Sequence, residues 1–192
     1  MVPKRLELLS RPVPQVRTIA LLVNPNKPNA NPIIQNLEEA TRIKGLQLYI
    51  LKAVTRDIDA AFASLIQSHA GAPVVGPDPL SARAADQTGG THTVPAIYDC
   101  RVYAAASGLI SYAPSIAAAH RQASLHVGKI LNSAKPTDLP VQQPTRFELV
   151  VNLKTAETLG PIPRSVLASV GGSSNECARQ AGAIQPVEDR PE

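Results

Sequence analysis

Aromatic residues are scarce in this chain of 192 residues: four Tyr, two Phe and no Trp. The core must therefore rest on Leu, Ile, Val and Ala, and the stacking aromatics of a nucleic-acid surface are lacking. Basic patches are lacking too. The net charge of +4 comes from scattered Lys and Arg, and the one local cluster, "PKRLELLSR", includes a Glu and a stripe of leucines. A solvated, mildly basic surface is expected, with no nucleic acid as partner. Only two cysteines occur, Cys100 and Cys177, far apart and in no shared motif, so nothing supports a disulfide. His69, His92, His120 and His126 form no H-x-x-x-H and do not pair with the cysteines, so no metal site is expected. No stretch approaches the ~20 apolar residues of a membrane helix. The start, "MVPKRLELLS", has no apolar signal-peptide region, which as written places the product in the cytoplasm. The enzyme motifs G-x-G-x-x-G, G-x-x-x-x-G-K-[ST] and G-x-S-x-G are all missing. "TGGTH" has glycines, but it precedes a strand instead of following one. No catalytic residue and no cofactor is expected.

What the chain does have is 44% hydrophobic and 18% charged residues, the balance of a globular protein, with eighteen prolines that mark many element boundaries. Its length suits one large domain or two small lobes. After an amphipathic lead-in carrying Leu6, Leu8 and Leu9, "RTIALLV" (17–23) is apolar without polar alternation, as in a strand buried on both faces. Asn31-Pro32 then reads as a helix cap followed by proline, with Ile33, Ile34, Leu37, Ala40 and Thr41 at helical spacing up to Gly45. "LQLYILKA" (46–53) is a second strand. A helix capped by Thr55 follows, with Ile58, Phe62 and Leu65 on one face. "APVVG" (72–76) and "VPAIY" (94–98) are further strands, separated by a segment that starts helically and dissolves into Thr and Gly. This βαβ alternation predicts an α/β fold with an open parallel sheet. From residue 99 the rhythm changes. "DCRVYAAASG" reads as irregular, "LISY" (109–112) as a strand and Ser115 to Leu131 as a long helix. A proline-punctuated connection, a strand over 146–152 and a short helix follow. The stretch 169–192 has no apolar period and is expected to lack order.

In open parallel sheets ligands bind outside the carboxyl ends of the strands. Three loops take that place: "NPNKPN", "GPDP" and "DCR". The first offers Asn24, Asn26 and Asn29 before a helix N-terminus, suited to a carboxylate or another anion. The second offers Asp78, suited to an ammonium group. The third offers Tyr98, Asp99 and Arg101, an aromatic face with charges of both signs. Together they suit a zwitterion. Each residue alone also has a plain structural explanation: Asn and Pro are turn formers, Asp78 between prolines fixes a turn, and Tyr98 is packing.

The series "PKRLELL", "IALLVNP", "GLQLYIL", "PAIYD", "GLISYAPS" and, most specifically, "KPTDLPVQQPTRFELVVNLKTAETLG" resembles the solute-binding proteins of ABC transporters. The particular family is the one that includes tryptophan- and tyrosine-binding members, and the likeness runs from about residue 3 to 168. It implies a type I periplasmic-binding fold, Rossmann-like, with a small solute, possibly an amino acid, held between two hinged lobes and delivered to a membrane permease in the periplasm. On that resemblance residues 1–105 correspond to the second lobe, nearly complete. Residues 106–168 form a return segment of hinge, long helix and strand. The core of the first lobe is largely missing and is expected to be encoded upstream. The long helix should then expose its apolar face. Asn24, Asn29, Asp78, Tyr98 and Ser111 are the expected ligand-binding residues. Ser107 and Ala113 stand where the family usually has glycine. Two alternatives accompany this expectation: a non-functional remnant or fragment of such a protein, and a small doubly wound α/β enzyme.

Overall fold

The structure, a computed structural model, describes residues 2–11, 13–68, 70–92, 94–145, 147–159 and 184–188. The leucine-rich lead-in forms α1 (Val2–Ser10), with Leu6, Leu8 and Leu9 buried. Then follow β1 (Thr18–Val23), α2 (Ala30–Ile43), β2 (Gln47–Lys52), α3 (Ile58–Gln67), β3 (Ala72–Val75) and α4 (Ser81–Asp86). The second half comprises β4 (Ile97–Tyr98), α5 (Arg101–Ala106), β5 (Ile110–Pro114), α6 (Ile116–Leu131), β6 (Phe147–Asn152), α7 (Leu153–Leu159) and β7 (Ile184–Glu188).

The strands make one sheet in the order β2-β1-β3-β4-β5-β6-β7. β1 to β5 run parallel, and β6 is antiparallel to both β5 and β7. β1 is covered on both faces, as its unbroken apolar run requires. Ile19, Leu21 and Val23 pack with Leu6, Leu9 and Leu37 of α1 and α2. Ala20 and Leu22 pack on the other face with Phe62, Leu65, Leu80 and Ala84 from α3, α4 and the turn before it.

Three expectations shift in detail. The α2 cap is Asn29 rather than Asn31, so Pro32 falls within the first turn, where its missing N–H costs no helical bond. "RVYAAA" is a helix, α5, not irregular chain; its buried Ala104 packs on Val150, a tertiary contact that no local pattern announces. Within 169–192, Ile184–Glu188 pairs with β6 through backbone hydrogen bonds, which need no apolar period; the rest of that stretch, with Cys177, lies outside the described residues.

α2 ends in a turn that demands glycine. The Leu46 amide donates to Thr41 O and the Gly45 amide to Arg42 O, while Gly45 has φ +65°. That double closure places Gly45 in the left-handed region, disfavoured for residues with a Cβ. A Cβ there meets nothing within 4 Å, so only conformation opposes substitution. Gly45→Ala is expected to cost about 1 kcal/mol in denaturant unfolding; a change within error of zero would refute the assignment. Ser107 by contrast sits at φ −165°, outside the left-handed region, so no positive φ calls for glycine there.

α6 is the exception to the packing. Ser115 caps it by accepting from the Ala118 amide at 3.4 Å, yet none of its sixteen residues is buried. Leu131 is 80% exposed, and Ile116, Leu125, Val127 and Ile130 also face solvent. This matches the expectation that the helix shows an uncovered apolar face.

Candidate solute cleft at the carboxyl edge of the sheet

After β1 the chain moves out to β2 at the sheet edge, then returns to β3 on the other side of β1. The loops after β1 and β3 therefore part in opposite directions and leave a crevice at their carboxyl ends. Asn24, Lys27, Asn29, Gly76, Pro77 and Asp78 line it. Asn24 Nδ2 donates to Asp78 Oδ2 at 3.0 Å, and Lys27 Nζ stands 3.7 Å from the same oxygen. The Asp78 Oδ1 accepts the Leu80 amide at 2.9 Å. Asn24 Oδ1 accepts the Asn26 amide at 3.0 Å, which folds the first loop back on itself. Asn29 is exposed at the start of α2, and its side chain caps nothing in the helix. The crevice that these residues share with Ile33 and Gly76 measures only about 10 Å³.

Asn24, Asn29 and Asp78 are thus brought together. Tyr98 and Ser111 lie deeper, side by side in register on β4 and β5. The Tyr98 ring is fully buried, its hydroxyl is 2.6 Å from Thr88 Oγ1, and burial pushes its pKa up. Ser111 is 1% exposed, and its Oγ has no hydrogen-bond partner among the described residues. Lys27 was not among the expected residues, although its place within "NPNKPN" was a signal available for it.

At the end of β4, Asp99 is half-buried, and its Oδ1 is buried without a hydrogen-bond partner among the described residues. Burial raises its pKa and the charge of Arg5 opposes that rise. Arg5 itself, on α1, is 6% exposed and donates from Nε to the Tyr112 carbonyl at 2.9 Å. Tyr103 of α5 leans on Tyr98 with ring centroids 5.9 Å apart. A second concavity, about 240 Å³, runs from Cys100, Arg101 and Val102 to Pro114, Ile116 and Glu148. A third, about 590 Å³, lies between α6 and residues 136–145. Among the described residues no group of three or more His, Cys, Asp or Glu is placed to hold a metal ion, and no helix is long and apolar enough to cross a membrane.

The sequence profile of the family described as ABC transporter substrate binding protein matches residues 1–171. The chain belongs to that family. It is a family of binding proteins rather than catalysts. Among solved structures, a conserved domain protein from Vibrio cholerae superposes with a TM-score of 0.77 at 24% identity, over 87% of this chain and 58% of that one. A Streptococcus pneumonia ABC domain in complex with L-Trp gives 0.76 at 23% identity, over 88% and 60%. A ligand-free, open substrate binding protein with adhesive properties from Clostridium difficile gives 0.61 at 20% identity, over 90% and 57%. These likenesses establish the fold, and the chain spans 57–60% of the length of those structures. No curated protein matches it.

Proposed function

We propose that this chain forms one jaw of a solute cleft in an ABC-type uptake system, working outside the cytoplasm and passing a small solute to a membrane permease. The observation that carries the reading is the pairing of Asn24 with Asp78 across the switch-point crevice, with Asn29 beside it. These are polar groups held at the place where open α/β sheets take ligands. Asn24 and Asn29 would donate to the solute's carboxylate, backed by the amides that open α2. Residues 1–105 make this jaw; 106–168 lead towards the opposite lobe, and the bare face of α6 is where such a lobe would sit. The tryptophan held by the streptococcal structure makes an amino acid the first solute to try.

A crevice of about 10 Å³ cannot enclose such a molecule, since ligand pockets usually hold roughly 300–1,000 Å³. This chain alone should therefore bind L-tryptophan weakly. In a heteronuclear NMR titration, millimolar L-tryptophan is expected to shift the amides of Asn24, Asn29 and Asp78 in fast exchange. Micromolar affinity by calorimetry would overturn the one-jaw reading, and unmoved amides at those positions would overturn the site. The second reading, a remnant or fragment that has lost solute binding, is favoured by the uncovered α6 and would be supported by the latter result.

A further inference from the structure

β5 outruns the strand beside it. β4 has only two residues, Ile97 and Tyr98, in register with Ile110 and Ser111 of β5. Beyond Tyr98 the chain turns into α5, while β5 continues along β6 as far as Pro114. Backbone groups along a strand point to its two neighbours in turn. Leu109 O accepts from the Asn152 amide on the β6 side, whereas the Ile110 amide donates to Ala96 O on the β4 side. Tyr112, two residues beyond Ile110, therefore turns its carbonyl towards β4, at a level where β4 has ended. Arg5 supplies the donor instead: its Nε reaches Tyr112 O at 2.9 Å, across 107 positions of sequence. Its side chain is almost wholly buried, which is costly for a guanidinium. Asp99 is the charge that bears on it, yet the Nε–H is spent on a backbone carbonyl.

That carbonyl stands at the root of an arm. Just beyond it Ser115 caps α6, of which no residue is buried, and the chain rejoins the sheet at Phe147, whose ring stacks on Tyr112 at 5.6 Å. Residues 115–145 thus project from the sheet, held at their base by the β5–β6 pairing and by Arg5. The anchor itself is firm: Leu6 and Leu9 seat α1 in the same core as Ile19 and Leu21 of the central strand β1. We infer that Arg5 is a positioning residue: standing in for the donor that β4 does not supply, it sets the direction in which β5 leaves the sheet and so the orientation of the α6 arm. The purpose rests on the one-jaw reading, in which that arm leads to the opposite lobe. The bond from α1 then governs how that lobe meets the crevice.

The test compares two variants of the full chain by residual dipolar couplings, which report the orientation of α6 relative to the sheet. In Arg5→Gln the amide Nε2 stands at the same step of the side chain as the arginine Nε, so the donor is kept and the charge is lost. In Arg5→Met a methyl group takes that step and the Tyr112 carbonyl loses its donor. In the wild type and in Arg5→Gln the couplings of α6 and of β1 to β3 are expected to fit one alignment frame. In Arg5→Met those of α6 should depart from the frame that still fits the strands. Lost stability alone lowers the melting temperature without turning α6 in the molecules that remain folded, so orientation separates positioning from mere support. An α6 that keeps its frame in Arg5→Met, or loses it equally in Arg5→Gln, overturns the inference. Should Arg5→Met not fold, Arg5→Gln and the wild type still decide. The wild-type Arg5 Nε–H should exchange slowly with solvent, as a buried hydrogen-bonded donor does, and rapid exchange there overturns the inference too. No solute enters these measurements, so their failure is distinct from that of the L-tryptophan titration, which tests the one-jaw reading.

Discussion

Gly108→Ala is expected to lower stability by about 3 kcal/mol, or roughly 6–12 °C in melting temperature for a chain of this size. The cause is space. Gly108 is buried between α5 and β5, where its amide donates to Tyr103 O at 3.0 Å. A Cβ there would collide with the edge of the Tyr98 ring and stand 2.9 Å from the Tyr103 carbonyl oxygen. Neither neighbour can withdraw cheaply. Tyr98 is fully enclosed and held by its hydroxyl to Thr88, and the Tyr103 carbonyl accepts the very bond that closes the turn. Adding Tyr98→Leu should recover part of the loss in a double-mutant cycle, because the shorter side chain vacates the contested volume. A Gly108→Ala protein that melts within a degree or so of wild type would show that the ring is free to move.

Asp78→Ala should cost about 2–3 kcal/mol, because it strands three donors at once. The Leu80 amide loses the acceptor that shapes the turn into α4, Asn24 loses its cross-loop bond, and Lys27 loses its counter-charge. The Lys27 contribution is small, since that side chain is 46% exposed and screened. Asp78→Asn is not a neutral replacement: an amide directed at Asn24 and Lys27 would set donor against donor. Hydrogen exchange offers the specific check. The Leu80 amide should lose protection in Asp78→Ala beyond the drop in global stability, and retained protection would mean that the loop is held by something else.

The parallel half of the fold was legible because its signals are local. "TIALLV" has no polar alternation, and only a strand covered on both faces tolerates that; the sheet provides the cover through α1 and α2 on one side and α3 and α4 on the other. The Asn/Pro loop could be placed at a strand's carboxyl end for the same reason, and α6 could be drawn to within a residue from its period. α5 was missed because six residues rich in alanine carry too little periodicity, and the helix owes its existence to Ala104 packing on Val150 and to the Asn152 side chain, which donates to the Ala104 carbonyl at 2.8 Å.

Sequence by itself determined most of the element types, though not α5 or β7, together with the family, the three polar loops and the amphipathic character of α6, all properties of neighbouring residues or of helical and strand periods. Only the tertiary structure decided which of the polar groups were already spent. Asp78 and Asp99 look alike in the chain, each an acid following an apolar strand. The fold gives the first three donors, of which only the Leu80 amide is local, and leaves one oxygen of the second with none among the described residues; Asn24 comes from 54 positions away, and no local pattern brings it near. The same holds for α6. Its apolar stripe is written in the sequence, but whether anything covers that stripe is a matter of what lies opposite in space, and among the described residues nothing buries it.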